Sequence, residues 1–255
     1  MELSPGVVHL WYISVADKKI PFDYHLSLLD EEERCRASRF RFDRDRVRFV
    51  LGRGSLRCLL ARYTDSSPAD IQFKQNRYGK LYLQYPASSI RFNITHSEGC
   101  IIHALAQEAE VGVDIEAIRD AAGVSSISSH FAPGEQAWLL GADFQERDNV
   151  FFTFWVCKEA YIKALGRGLS KPLNSFEISL AKRTKGMELG MEGVEGMEAK
   201  ILSDSDDKTA QASWRLLLFE PNRNVLGCLA ANATCKVAEL LEYSSGRLLR
   251  RMALM

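Results

Sequence analysis

The amino-acid sequence predicts an α+β fold built as a pseudo-dimer of two similar α/β halves, residues 1–106 and 107–255. Two observations lead there. Each half runs strand, helices, then several strands, an order that points to a duplication. Two long helical stretches, Arg44–Tyr63 and Val150–Leu165, stand at corresponding places in the two halves.

In chain order, residues 7–15 alternate apolar and polar character and predict a first strand. Asp30 followed by Glu33 is an N-cap signal for a short helix through Ala37. Val47, Val50, Leu51, Gly54, Cys58 and Ala61 then make the apolar stripe of the helix over 44–63. After the Ser66-Ser67-Pro68 break, strands are expected at Ile71–Lys74, Leu81–Tyr85 and Ile90–Ile94, the first two joined by a turn at Arg77-Tyr78-Gly79-Lys80. Ile101–Ala106 and Val111–Ile115 are expected to pair as a hairpin. Helices follow at 134–140 and 150–165, then strands at Phe176–Leu180, Trp214–Phe219 and Leu226–Ala231. The Gly-, Met- and Glu-biased stretch from Lys185 to Lys200 predicts a mobile hairpin, to which the sequence assigns no function.

Composition excludes several classes. With 255 residues, 46% hydrophobic and 26% charged, the chain can bury a sizeable core and has the make-up of an ordinary soluble protein. Met1-Glu2-Leu3-Ser4-Pro5 has no basic stretch leading into an apolar one, and no apolar run reaches membrane-span length, so a cytoplasmic protein without membrane contact is expected. Six cysteines lie far apart without a CxxC or Cys/His pairing, which argues against zinc and a disulfide framework and predicts reduced core thiols.

Net charge is zero, but residues 1–105 carry 16 Lys and Arg against 12 Asp and Glu, so the first half is basic and the second acidic. Nine arginines fall between Arg34 and Arg57 with only Asp43 and Asp45 among them. Forked guanidinium groups at that density suit an anionic ligand; a solvated helix balanced by Glu31, Glu32 and Glu33 is the alternative from charge pattern alone. Nucleic acid is the weaker option because the chain is not basic overall.

Two short stretches carry the chemistry. In Gly112-Val113-Asp114-Ile115-Glu116, period two puts both carboxylates on one face of a strand. In Trp155–Lys163, residues Trp155, Glu159, Ile162 and Lys163 share one face of a helix. Asp114, Glu116 and Glu159 together make an all-oxygen set, which suits a magnesium ion that keeps waters and shares a substrate's phosphates. Each part has a plainer reading. Glu159 and Lys163 form an i, i+4 pair worth only about 0.2–0.5 kcal/mol on a surface, and Asp114 with Glu116 describes the wet face of an edge strand equally well. Their conjunction is what favours a metal site.

Taken with Arg48-Phe49-Val50-Leu51-Gly52-Arg53, Tyr78-Gly79-Lys80 and Phe92-Asn93-Ile94-Thr95-His96-Ser97, these two stretches resemble the 4'-phosphopantetheinyl transferases, specifically the large pseudo-dimeric kind that activates peptide synthetases, polyketide synthases and fatty-acid carrier proteins. The resemblance covers roughly residues 30 to 180. It implies transfer of phosphopantetheine from coenzyme A to a serine of an apo acyl or peptidyl carrier protein, by a monomer with its active site between the halves. Carried over by position, Asp114 and Glu159 bind magnesium, or manganese in its place, with Glu116 as a third ligand or acting through water. Lys158 and Lys163 face the diphosphate, His96 the 3'-phosphate, and Lys80 with Asn93 to Thr95 the adenosine. Arg36 and Arg44 fall where the family often has basic residues for the phosphates. Leu81 departs from the proline often found after the Gly-Lys turn, and Glu33 stands at an often basic position.

The residues read without the family agree. Transfer to a hydroxyl needs charge neutralised at the phosphoryl group and a group to take the hydroxyl proton. Lys163 and a metal supply the first, and Glu159 the second. A lone histidine after a strand is more often structural than functional, so His96 gains weight only beside the arginines. Two rival functions remain open: a non-catalytic carrier-protein or nucleotide-binding module, and a magnesium-dependent phosphohydrolase acting on coenzyme A. For an acidic carrier surface the sequence offers two docking stretches, the arginines of 34–57 and Phe131–Leu140.

Overall fold

The computed structural model describes residues 2–119, 124–182, 197–244, 246 and 248–254. The first part of the chain forms β1 (Val7–Ser14), α1 (Phe22–Ser27), α2 (Glu31–Ser38), α3 (Asp43–Thr64), β2 (Gln72–Gln75), β3 (Leu81–Tyr85), β4 (Ile90–Ser97) and β5 (Cys100–Gln107). The second forms β6 (Val111–Ala117), α4 (Val124–Ser128), α5 (Pro133–Gly141), α6 (Arg147–Leu165), β7 (Phe176–Lys182), β8 (Met197–Asp204), α7 (Ala210–Ser213), β9 (Trp214–Asn222), β10 (Val225–Asn232), β11 (Val237–Glu242) and β12 (Leu248–Ala253). The mixed α and β character is as the sequence predicts. Asp30 caps α2 as expected: its Oδ1 accepts from the Glu33 N–H at 2.8 Å, and Glu33 Oε2 accepts from the Asp30 N–H at 3.2 Å.

A five-stranded sheet in the order β12-β11-β1-β5-β4 lies beside a three-stranded sheet in the order β6-β10-β9. Period two in β1 divides the labour: Val8 and Leu10 enter a core shared with Val111, Val113 and Leu229 of the second sheet, while Trp11 turns to Leu56, Leu59 and Leu60 of α3. On the other face of the second sheet, α6 buries Phe154, Val156, Ala160 and Tyr161 against Leu216, Cys228 and Ala230.

Two expectations about connectivity fail. The stretches 101–106 and 111–115 do not form a hairpin: β5 pairs with β1 on one edge and β4 on the other, so no edge remains for β6, which pairs with β10 instead. Glu108, at φ 55°, turns the chain out of the first sheet. Nor does the hydrogen bonding follow the division at 106 and 107, because β11 runs parallel to β1, with Val7 opposite Val237, and brings β12 with it. The cysteines are free thiols, but Cys35 is exposed and Cys58 half-buried, so only four are core groups. Of the stretch 185–200, residues 185–196 lie outside the described residues, and Met197 onward is strand β8. Among the described residues no helix is long and apolar enough to cross a membrane.

Gly112 sets the distance between β6 and α6. A Cβ there would meet the Ala160 carbonyl oxygen at 2.1 Å and the Ala164 nitrogen at 2.2 Å, both backbone atoms that cannot swing aside. Glycine therefore lets the helix settle on the strand, and Asp114, on the same face as Gly112, is carried up to α6. Gly112→Ala should cost at least about 1–3 kcal/mol through overpacking, read as a lower urea midpoint; an unchanged midpoint would show that the contact yields freely.

Candidate active site

Between α3, β4, β6 and α6 lies a cavity of about 550 Å³ whose lining includes Asp114, Glu116, Glu159 and Lys163 together with Arg36, Arg48, Arg53 and His96. Asp114 is buried, at 6% exposure. Its Oδ1 accepts from Lys163 Nζ at 2.6 Å and from Thr95 Oγ1 at 3.1 Å, while its Oδ2 is buried with no partner. Glu159 Oε1 is likewise buried and unpartnered. Glu116 accepts from Ser97 Oγ at 3.2 Å. Burial raises the pKa of Glu159, and the nearby Asp114 and Glu116 charges add to this against Lys163. Burial and then Asp114 raise that of Glu116.

Buried carboxylate oxygens without a partner mark a place short of positive charge. One lysine serves three carboxylates here. Yet among the described residues no group of three or more His, Cys, Asp or Glu side chains is disposed to hold a metal ion by itself. The donor chemistry fits a hard cation that takes a few protein oxygens and fills its shell with water and substrate oxygens, as magnesium does.

The opposite wall is basic, but not through the residues the sequence singled out alone. On α3 the cleft-facing positions are Asp45, Arg48, Phe49, Gly52 and Arg53, one face of a 3.6-residue period. Arg44 falls outside that face: its side chain is 74% exposed, 3.8 Å from Asp45 and over the Phe42 ring, so its expected phosphate role has no geometric support. Arg48 and Arg53 line the cavity instead, and their i, i+4 spacing to Gly52 and Phe49 was the signal that could have found them. Arg36 does line the cavity, with its guanidinium 5.1 Å from the Phe49 ring centre. Glu33 pairs with Arg53 at 3.1 Å and with Arg57 at 2.7 Å, and Arg53 Nη1 stays buried without a partner. His96 is exposed at the cavity wall, yet the protein around the ring desolvates it enough to lower its pKa, with smaller like-charge contributions from Arg48 and Lys163.

The description "4'-phosphopantetheinyl transferase superfamily" matches residues 110–215, which hold the three carboxylates and Lys163, and "4'-phosphopantetheinyl transferase, N-terminal" matches residues 16–108, which hold the basic wall. The 4'-phosphopantetheinyl transferase HetI of Nostoc sp. is 34% identical over 183 residues, covering 71% of this chain and 77% of its own. The chain belongs to the 4'-phosphopantetheinyl transferase superfamily. The 4'-phosphopantetheinyl transferase Sfp of Bacillus subtilis is 32% identical over 155 residues, covering 61% of this chain and 68% of its own. A solved structure of Thermotoga maritima holo-[acyl-carrier-protein] synthase covers 51% of this chain and 66% of its own at 16% identity, and its TM-score of 0.32 is too low to bear on the site.

Within this transferase two lysines depart from expectation. Lys158 does not face the cavity. It is fully buried on the far side of α6, 2.8 Å from Glu135 and donating to the Leu173 and Phe176 carbonyls at 2.7 and 2.8 Å. Glu135 is completed by the backbone N–H groups of Ala132 and Ile178. One residue along a helix is a turn of 100°, so Lys158 and Glu159 point apart. Lys80 borders a smaller cavity of about 230 Å³ with Tyr78, Asn93, Lys163 and Gly166, but its ammonium is spent on Glu110 and the Ala164 carbonyl, both at 2.6 Å. It ties the β2–β3 turn to the C-terminal end of α6, where carbonyl oxygens attract a cation. Asn93 borders the same cavity, and its Oδ1 accepts from the Val113 N–H at 3.0 Å, joining β4 to β6. In Phe131–Leu140, Phe131 and Leu139 are buried, leaving Trp138 and Leu140 as the large apolar groups that are exposed.

Removing one partner of a buried, satisfied ion pair leaves a bare charge. Lys158→Ala should therefore lower stability by about 3–5 kcal/mol in urea titration, whereas Lys163→Ala, whose side chain is 28% exposed, should lose far less stability and far more turnover. The reverse ranking would return Lys158 to the chemistry.

Proposed function

We propose that the cavity transfers the 4'-phosphopantetheine moiety of coenzyme A to a serine hydroxyl of an apo acyl or peptidyl carrier protein, giving the holo-carrier and adenosine 3',5'-bisphosphate. The observation that carries this is that Asp114 and Glu159, each with a buried unpartnered carboxylate oxygen, line one cavity with a basic wall. In this reading the two halves form a pseudo-dimer around the cavity, with β11 and β12 returned to the first, and the protein works as a cytoplasmic monomer.

Asp114 and Glu159 would hold magnesium, or manganese in its place, with Glu116 directly or through water. Magnesium, when bound, spreads the negative charge of the diphosphate. Lys163 lies against Asp114, placed to bind a diphosphate oxygen and offset charge developing on the leaving group. Arg36, Arg48 and His96 bind the 3'-phosphate by charge-assisted hydrogen bonds. The smaller cavity between the β2–β3 turn and the end of α6 takes the adenosine, with Lys80 as part of its wall. Glu159 would take the serine proton, directly or through water. The serine oxygen forms a bond to the β-phosphorus as the bond to the bridging oxygen breaks.

Intact mass spectrometry of apo carrier proteins incubated with the enzyme, coenzyme A and magnesium should show a gain of one phosphopantetheine. Free phosphopantetheine with an unmodified carrier would indicate hydrolysis, and no change with coenzyme A bound would indicate a binding module. Asp114→Ala and Glu159→Gln should each lower turnover by roughly two to three orders of magnitude with circular dichroism unchanged, and Glu116→Ala by less; full activity in either of the first two removes that residue from the site.

His96→Ala should raise KM for coenzyme A by the equivalent of about 1.5–3 kcal/mol while leaving KM for 3'-dephospho-coenzyme A nearly unaltered. Equal changes with both substrates would make His96 structural.

A further inference from the structure

We propose that Ser97 is a positioning residue that holds Glu116 in the cavity. The inference rests on the reading of Glu116 as a metal-site group. Ser97 ends β4 and is itself buried, at 8% exposure. It does not line the cavity; Glu116 does. The two meet because β4, the edge strand of the first sheet, runs against β6, the edge strand of the second, with no backbone ladder between them. Side chains span the gap instead. Asn93 accepts from the Val113 N–H, Thr95 donates to Asp114, and Ser97 donates to Glu116, so alternate residues of β4 reach β6 from one face of the strand.

Ser97 differs from the other two in making both kinds of link. Its Oγ accepts from the Ala117 N–H at 3.1 Å and donates to Glu116 Oε2 at 3.2 Å. A hydroxyl has one proton to give. The Ala117 N–H occupies an oxygen lone pair and so biases the direction of that proton towards the carboxylate. Asp114, by contrast, is held by Lys163 as well as Thr95. Among the described residues Ser97 is the hydrogen-bond donor to the Glu116 carboxylate, with Arg119 and Lys163 acting on it through charge, and loss of that donor frees the side chain to swing within the cavity.

The test is a double-mutant cycle on Mn²⁺ affinity, measured by electron paramagnetic resonance with coenzyme A present, alongside kcat and KM. Ser97→Ala should weaken Mn²⁺ binding about tenfold, the usual effect of removing a partner that orients a ligand, and lower kcat with little change in KM for coenzyme A. Ser97→Ala in a Glu116→Ala background should weaken binding less than twofold further, because the group it positions is gone. Ser97→Thr, which keeps the hydroxyl, should restore affinity. Wild-type Mn²⁺ binding by Ser97→Ala, or equal loss in both backgrounds, overturns the proposal and leaves Ser97 as a backbone tie to Ala117. Should Ser97→Ala not fold, Ser97→Cys, nearly isosteric but a weak donor, carries the same cycle. If the wild-type enzyme itself binds no Mn²⁺, the metal reading falls first, which separates that failure from a failure of Ser97.

Discussion

The close seating of α6 on β6 is the constraint on which the rest of the cavity depends. Because Gly112 presents no side chain, the helix backbone at Ala160 and Ala164 lies directly on the strand. Asp114 and Glu116 project from the same face of β6 two and four residues further on. Glu159 and Lys163 project from α6 one turn apart, so four ionisable groups from two elements meet at one cavity. A looser contact would let water between them, and the carboxylates would then be ordinary surface acids.

Burial is also what makes the site unbalanced. Glu116 and Glu159 are held nearer to neutrality than free carboxylates, chiefly by desolvation, with the Asp114 charge adding to both and Lys163 opposing. Lys163 offsets part of this at Asp114 and leaves two oxygens without partners. The opposite wall shows the reverse arrangement. Glu33 and Asp30 neutralise Arg57 and part of Arg53, so the nine-arginine stretch delivers much less positive charge to the cavity than its count suggests. Such a tuned imbalance suits an anionic ligand that arrives with a cation, since each charge is incomplete without the other.

The two lysines of α6 show how the same residue type serves opposite ends. Lys158 is buried beside Glu135, satisfied by two carbonyl oxygens, and pins α6 to α5 and to the start of β7. Lys163, partly exposed, keeps its ammonium at the cavity. Lys80 follows the first pattern, closing the turn region onto the helix end.

What the sequence by itself determined is the face each residue takes on its own element. Period two put Asp114 and Glu116 together, period 3.6 put Glu159 and Lys163 together, and Asp30 with Glu33 announced the cap of α2, since these are relations within a few bonds of the chain. Tertiary structure decided which face meets which. Nothing local says that both edges of β5 are taken or that β11 returns to β1. What receives Lys158 belongs to the same class. Its ammonium goes where a buried carboxylate and two carbonyls wait, and those come from α5 and the segment leading into β7, residues that only folding brings beside it.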